Sequence, residues 1–391
     1  MATDAYVLAG CRTAIGTAFK GSLSRTPVFD LAESVVAQAV QRSGLAVEDL
    51  DDIVLGEVMH GGGDIARHTA VALGMESLPG LAHNRQCASG LAAVSTAAAG
   101  IRAGMDRAVV AGGVESSSTR PATILRDPAT GEKKPWNTPS HPATPDAPTM
   151  DMSITVGWNT AQLAGVSRTE MDEWALRSHE RALASIDAGW FRDEIVPLKV
   201  TGADGAPSAF DTDEHPRRGT TLERLAGLKT LHPEIDGFSI TAGNSSGIND
   251  GAAAVVVVAE EMLERAGTAP LGIVRSWASV GVDPMRTGLA PTLAIPKALQ
   301  RAGISAEEVG LYEINEAFAS VPVACARILG LDPERVNVNG SGCSLGHPVA
   351  ATGTRMVLTM LHELRRRGER FGVIALCAGG GMGSAMVLEA V

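Results

Sequence analysis

No apolar run in the 391-residue chain approaches the ~18 residues needed to cross a bilayer as a helix; the longest, around Ala252–Ala259, is strand-sized. The N-terminus, MATDAYVLAG, has neither a basic flank nor a long apolar stretch, so no signal peptide is expected. Positive charge is in deficit. The net charge of −11 argues against a nucleic-acid footprint and leaves room only for a local basic patch facing an anionic substrate. Cysteine is scarce too: five residues, at 11, 87, 325, 343 and 377, odd in number and too scattered to staple a fold. That usage suits a reducing, cytoplasmic compartment, where a thiol is either core filler or chemistry. What is abundant is glycine, 44 residues or about 11% against an average of about 7%. With 45% hydrophobic residues, the chain can bury a sizeable core in two or three domain-sized units.

Alternation of short apolar runs with amphipathic stretches predicts an α/β protein. Asp30–Gln41 reads as a helix closed by Gly44, and Ile53–Val58 as a strand. Ala88–Met105 reads as a helix buried on most sides, and Arg107–Gly112 as a buried parallel strand. Seven of the twenty prolines fall between Pro121 and Pro148, which predicts an irregular excursion. Helical spacing resumes over Ser167–Ala188, a second irregular stretch spans Thr201–Gly219, and order returns in Ser239–Ala259. Residues 119–246 therefore read as an insertion within a more regular α/β body. It divides a first half (1–118 with 247–268) from a second half (269–391).

An internal repeat supports two halves. Residues 39–58 align without gaps on 298–317, with Ala39/Ala298, Gln41/Gln300, Arg42/Arg301, Gly44/Gly303, Glu48/Glu307 and Glu57/Glu316 identical. The same offset sets Cys87 opposite Gly346, beside His347. A duplicated α/β unit packed about a pseudo-twofold axis would bring those two loops together.

Cys87, in HNRQCASGL, stands directly before the apolar helix. A helix N-terminus lowers a thiol's pKa and favours the thiolate; a small buried cysteine in a tight turn is the alternative. His347 lies in GSGCSLGHPVAATG, hemmed by glycines and Pro348. Cys377 precedes three glycines in ALCAGGGMGS, whose N–H groups can form an anion-binding nest. Asn315, in EINEAFAS, can donate into a site or cap the following helix, and the two can coexist. Cys11 and Cys325 read as structural, and Cys343 stays unassigned. The remaining histidines form no ligand set, so no metal site is expected. P-loop, dinucleotide and GxSxG signatures are missing.

NRQCASGL, AGGVES, TAGNSSGINDGAAA, EINEAFAS, GHP and CAGGGMGS, in this order from end to end, resemble the thiolases. The resemblance implies a thiolase fold, two βαβαβαββ halves in a five-layered αβαβα arrangement with an inserted loop domain, usually assembled as a homodimer or homotetramer. It implies thiolysis of 3-ketoacyl-CoA by CoA, as in β-oxidation, or the reverse condensation of acetyl-CoA. Coenzyme A is then a substrate, and no permanently bound cofactor is expected. Cys87 matches the nucleophile, His347 the base that activates it through a thiolate–imidazolium pair, and Cys377 the second acid/base. Asn315 matches the holder of a water at the enolate oxygen, and the N–H groups of Cys87 and Gly379 match the second oxyanion hole. Arg217, Leu228, Ala242 and Ser246 match positions lining the CoA groove, and Met152 a residue near the acyl pocket. Arg217 can meet a phosphate, stack on adenine or stay solvated.

The chain departs from the usual pattern at Asp151, often histidine or apolar, and at Arg224, often small and polar. It departs also at Ser117, Ser118, Cys343, Ser344 and Ala350. A ketoacyl synthase of the same superfamily generally uses Cys-His-His or Cys-His-Asn, and the CxGGGxG loop discriminates against it. A non-catalytic binding protein would lack one of Cys87, Asn315, His347 and Cys377; all are present.

Overall fold

The computed structural model describes residues 3–60, 63–201 and 206–391. Among the described residues eleven strands build one long mixed sheet; the short Gly16–Thr17 and Ile195–Val196 pair at its side, and nine form its path: β1 (Ala5–Thr13), β2 (Asp52–Gly56), β3 (Gly80–His83), β4 (Ala108–Ser116), β5 (Asn249–Ala259), β6 (Gly272–Gly281), β7 (Val309–Ile314), β8 (Phe371–Ala378) and β9 (Met382–Ala390). Their order is β7-β8-β9-β6-β1-β5-β4-β2-β3. Read outward from the centre, β1, β5, β4 and β2 are mirrored by β6, β9, β8 and β7. The pairings are antiparallel, antiparallel and then parallel on both sides. The duplication is therefore real. The halves meet where Tyr6 and Val7 of β1 pair with Ile273 and Gly272 of β6.

The repeat also holds in local detail. Helix α1 (Val28–Ser43) ends on Gly44 at φ 71°, and its counterpart over Pro291–Ala302 ends on Gly303 at φ 68°. The left-handed C-cap that both need is the reason for the repeated glycine. Single 3-10 turns follow at equivalent places, Val47–Asp49 and Ala306–Glu308.

Three buried clusters define five layers. One joins α1 to the outer face of the first half-sheet, and another joins the helices of the second half to its outer face. The third lies between the half-sheets around two central helices, α2 (Ser89–Arg102) and α3 (Thr352–Arg367). These two cross very closely. A Cβ on Gly353 would sit 2.4 Å from the Leu91 nitrogen, and one on Gly90 would sit 2.6 Å from the Ala350 carbonyl oxygen. Only glycine permits backbones to approach so nearly.

Between β4 and β5 the chain forms a π-helical turn (Ser153–Trp158), a 20-residue helix (Arg168–Asp187) and short hairpins. The proline-rich excursion is less irregular than expected, because Ile124–Arg126 pairs with Lys133–Pro135. Asp127 builds that turn by accepting N–H bonds from Ala129 and Thr130, and Gly131 takes φ 72°. Leu198–Thr201 likewise pairs with Pro207–Phe210; residues 202–205 of this expected irregular stretch lie outside the described residues. Arg12, fully buried on β1, donates to both Glu194 and Asp213 and anchors this stretch to the first half.

Candidate active site

Cys87 lies in the turn from β3 into α2. Gln86 adopts a left-handed φ of 49°, uncommon for a residue with a Cβ. Local hydrogen bonds hold that conformation: Gln86 N–H donates to Asn84 Oδ1 at 2.8 Å, and the Ser89 hydroxyl donates to the Gln86 carbonyl at 2.6 Å. The loop before α3 carries His347. Gly346 precedes it at φ 101°, against the Asn249 side chain, whose Oδ1 accepts the His347 N–H at 3.0 Å. The two loops meet because Gly90 and Gly113 both lie against the Ala350 carbonyl. A contact inferred from the repeat is thus made by backbone atoms that tolerate no side chain.

The imidazole tautomer follows from its neighbours. Thr352 has one hydroxyl proton, donated to the Pro348 carbonyl at 2.8 Å. Its oxygen therefore accepts from His347 Nδ1 at 2.7 Å. Nε2 is left unprotonated and able to take a proton. Burial first, and then the Arg355 guanidinium, push the His347 pKa down to about 3. Burial also pushes the Cys87 thiol up, the Gly379 and Cys87 backbone N–H groups pull it down, and buried Glu115 adds to the rise. Both directions run against the lowered thiol pKa and the thiolate–imidazolium pair expected from the sequence, because desolvation opposes the helix N-terminus.

Gly379 follows β8 in a loop where Gly380 and Gly381 take φ 88° and 79°. The loop is tied by Gly381 N–H to the Thr287 hydroxyl at 3.0 Å, and it sets Gly379 against Gln86, beside Cys87, where its N–H favours the thiolate. Cys377, two residues earlier on β8, is buried; desolvation first, and then Cys87 and Cys325, raise its pKa well above the ordinary thiol value.

Asn315 caps nothing. The next helix begins only at Ser320, and its N-cap residue, Ala319, makes no side-chain cap. Instead Asn315 Nδ2 lies 3.4 Å from His347 Nε2, and its Oδ1 is a buried acceptor with no protein donor, suited to a donor such as water. The site thus gathers Cys87, His347, Asn315, Cys377 and Gly379.

Of the CoA-groove candidates, Leu228 and Ala242 are brought together. Leu228 packs against Gly243, and a bridge between Thr230 and Thr241 makes residues 228–242 a hairpin. Ser246 joins them beside the site, its N–H donating to the Ala317 carbonyl at 2.9 Å. Met152 is half-buried at the start of the π-turn. Arg217 stands exposed on a separate turn, its backbone N–H donating to His179. The unusual Arg224 braces that turn by donating to the Gly219 carbonyl at 2.8 Å. Cys343 is no longer open: it is fully buried beneath Glu316, its N–H on that carboxylate and its thiol directed at the Glu316 carbonyl.

Sequence reasoning missed Asn249, Thr352 and Glu316, although each lies inside a motif or repeat it singled out. Glu316 collects Trp174 Nε1, the Ser178 hydroxyl, Asn337 Nδ2 and the Cys343 N–H, and so fixes the Asn315 turn. Their signal was present; only the partners, far off in the chain, were not.

Comparison with known proteins agrees along the whole length. The chain matches the thiolase N-terminal domain over residues 5–261 and the thiolase C-terminal domain over residues 268–390. It is 40% identical to an acetyl-CoA acetyltransferase of Pseudomonas aeruginosa, covering 98% of this chain and 99% of that one. It is 39% identical to a 3-ketoacyl-CoA thiolase of Bacillus subtilis, covering 99% of each. The crystal structure of human mitochondrial 3-ketoacyl-CoA thiolase superposes with a TM-score of 0.90 at 33% identity, over 100% of this chain and 99% of that one. Duplicated halves, the loops joined at their glycines and these matches together place the chain in the thiolase family.

Proposed function

We propose that the protein is an acyl-CoA thiolase in which Cys87 carries the acyl group. The observation that carries this reading is that Gly379, from the second half, packs against Gln86 beside Cys87, from the first, a Cβ on it falling 3.6 Å from Gln86 Cγ, so that its N–H favours the Cys87 thiolate. A donor so placed suits the oxyanion of a tetrahedral adduct better than it suits a resting thiol.

His347 Nε2 takes the Cys87 proton as the sulfur attacks the keto carbon of 3-ketoacyl-CoA. The oxyanion receives the N–H groups of Cys87 and Gly379. Collapse breaks the carbon–carbon bond and leaves an acyl thioester on Cys87 and the enolate of acetyl-CoA. Asn315, through a water, and His347 stabilise the enolate oxygen while the Cys377 thiol protonates the carbon. The Cys377 thiolate then takes the proton of an incoming CoA thiol, which attacks the thioester. Cys87 leaves and recovers its proton from His347. Run backwards, the sequence is a Claisen condensation.

In this reading residues 119–246 are the CoA-binding loop domain. Arg217, Leu228, Ala242 and Ser246 line its groove and Met152 the acyl pocket, and CoA enters as substrate with no resident cofactor. The five unpaired cysteines suit a reducing cytoplasm. Among the described residues no helix is long and apolar enough to cross a membrane. Strand β3 ends the sheet as an open edge with Leu81 exposed, a place for a second copy in a homodimer or homotetramer.

Thiolysis of a panel of 3-ketoacyl-CoA substrates tests the reaction and reads its chain length. A Cys377→Ala variant should still acylate at Cys87 while steady-state thiolysis falls on the order of 10²–10⁴-fold. Near-normal turnover in that variant would remove Cys377 from the mechanism.

A further inference from the structure

Asp151 departs from the usual pattern, and the structure supplies it with a partner. Its Oδ1 accepts the Ser153 N–H at 3.0 Å, the Ser153 hydroxyl at 2.6 Å and the Ile154 N–H at 3.3 Å, opening the π-turn just after Met152. Its Oδ2 lies 2.8 Å from His232 Nε2, while His232 Nδ1 lies 2.7 Å from Glu234 Oε1. Carboxylate oxygens only accept, so each nitrogen must carry a proton, and the ring between them is an imidazolium. Phe238 supports it edge-on at 5.0 Å and in turn packs on Trp158 of the π-turn at 5.2 Å.

His232 belongs to the 228–242 hairpin. Its arms, joined by the Thr230–Thr241 bridge and by Leu231 N–H on the Ile240 carbonyl, carry Leu228 and Ala242. The π-turn on the other side touches the loop after Asn315, where Gly157 packs on Phe318 and accepts from the Ser320 hydroxyl at 2.9 Å. We propose that the Asp151–His232–Glu234 chain is a positioning strap, which holds the CoA-groove hairpin against the acyl-pocket wall and sets the affinity for CoA. This rests on the assignment of the groove made above. His232 is a positioning residue, since it acts through Leu228, Ala242 and Met152.

The strap is sensitive to pH. Glu234 and Asp151 are the charged groups that act on His232; the Glu234 hydrogen bond first, against slight desolvation, and then Asp151 raise its pKa above the ordinary 6.5. A raised histidine contributes fully below its unfolded value and is lost as pH rises through the folded one. The strap is therefore closed below pH 6.5 and opens on the alkaline side.

Calorimetric titration of CoA into the wild type, His232→Gln and His232→Arg from pH 6 to 9 tests this, because CoA's own ionisations are common to all three. The wild type should bind about five-fold more weakly at the alkaline end, the effect of an ion pair worth about 1 kcal/mol. The Gln variant should bind weakly throughout, and the Arg variant, cationic at every pH, tightly throughout. Wild-type affinity and pH profile in both variants would overturn the strap. So would a loss confined to kcat with CoA affinity unchanged. Failure of the wild type to bind CoA would overturn the groove assignment as well, whereas binding without thiolysis would count against the proposed reaction alone.

Discussion

At the scale of single residues, the account turns on protons that burial moves. Desolvation leads both shifts, raising the Cys87 thiol and lowering His347. In the proposed mechanism proton transfer therefore accompanies attack on the carbonyl and does not precede it. The sign can be checked without substrate. The rate at which iodoacetamide alkylates Cys87, followed by mass spectrometry, should keep rising beyond the ordinary thiol value of 9.0. A plateau already reached by pH 7 would show a preformed thiolate and restore the ion pair that the family resemblance implied.

At the scale of elements, the turn bearing Asn315 is held by one carboxylate. Glu316 is fully buried and accepts from the long helix of the inserted segment, from Asn337 and from the turn before His347. Glu316→Ala leaves those donors unpaired, so it should cost about 3 kcal/mol or more in denaturant unfolding. A change below about 0.5 kcal/mol, the range of a surface substitution, would show the network to be ornamental. The repeat made Glu316 visible as the twin of Glu57, yet its purpose was illegible because Trp174 and Ser178 lie far away in sequence. Local signals fared better. The helix ending at Gly44, the apolar helix after Cys87 and the strand through Ala252–Ala259 follow from periodicity and caps. The hairpin at 124–135 was hidden by prolines, because its register depends on one Asx turn at Asp127. Reading Asn315 as a cap failed for a similar reason: its helix begins four residues later than the motif suggests.

At the scale of the molecule, two homologous halves place their functional loops together only because α2 and α3 cross at Gly90 and Gly353. Helix propensity alone favours Gly353→Ala by about 1 kcal/mol. The new Cβ would sit 2.4 Å from a backbone nitrogen that cannot turn aside, and overpacking of that kind costs about 1–3 kcal/mol. The variant should melt at a lower temperature and acylate more slowly, although no reacting group has changed; a more stable, fully active variant would contradict this account of the crossing. The central claim itself is that this crossing delivers Cys87 as the nucleophile. Its most direct test is intact-mass and peptide mass spectrometry of the protein mixed with acetyl-CoA. The account predicts one acetyl group on the Cys87 peptide of the wild type and none on Cys87→Ala; an unmodified wild type, or acetylation that survives in Cys87→Ala, would contradict it.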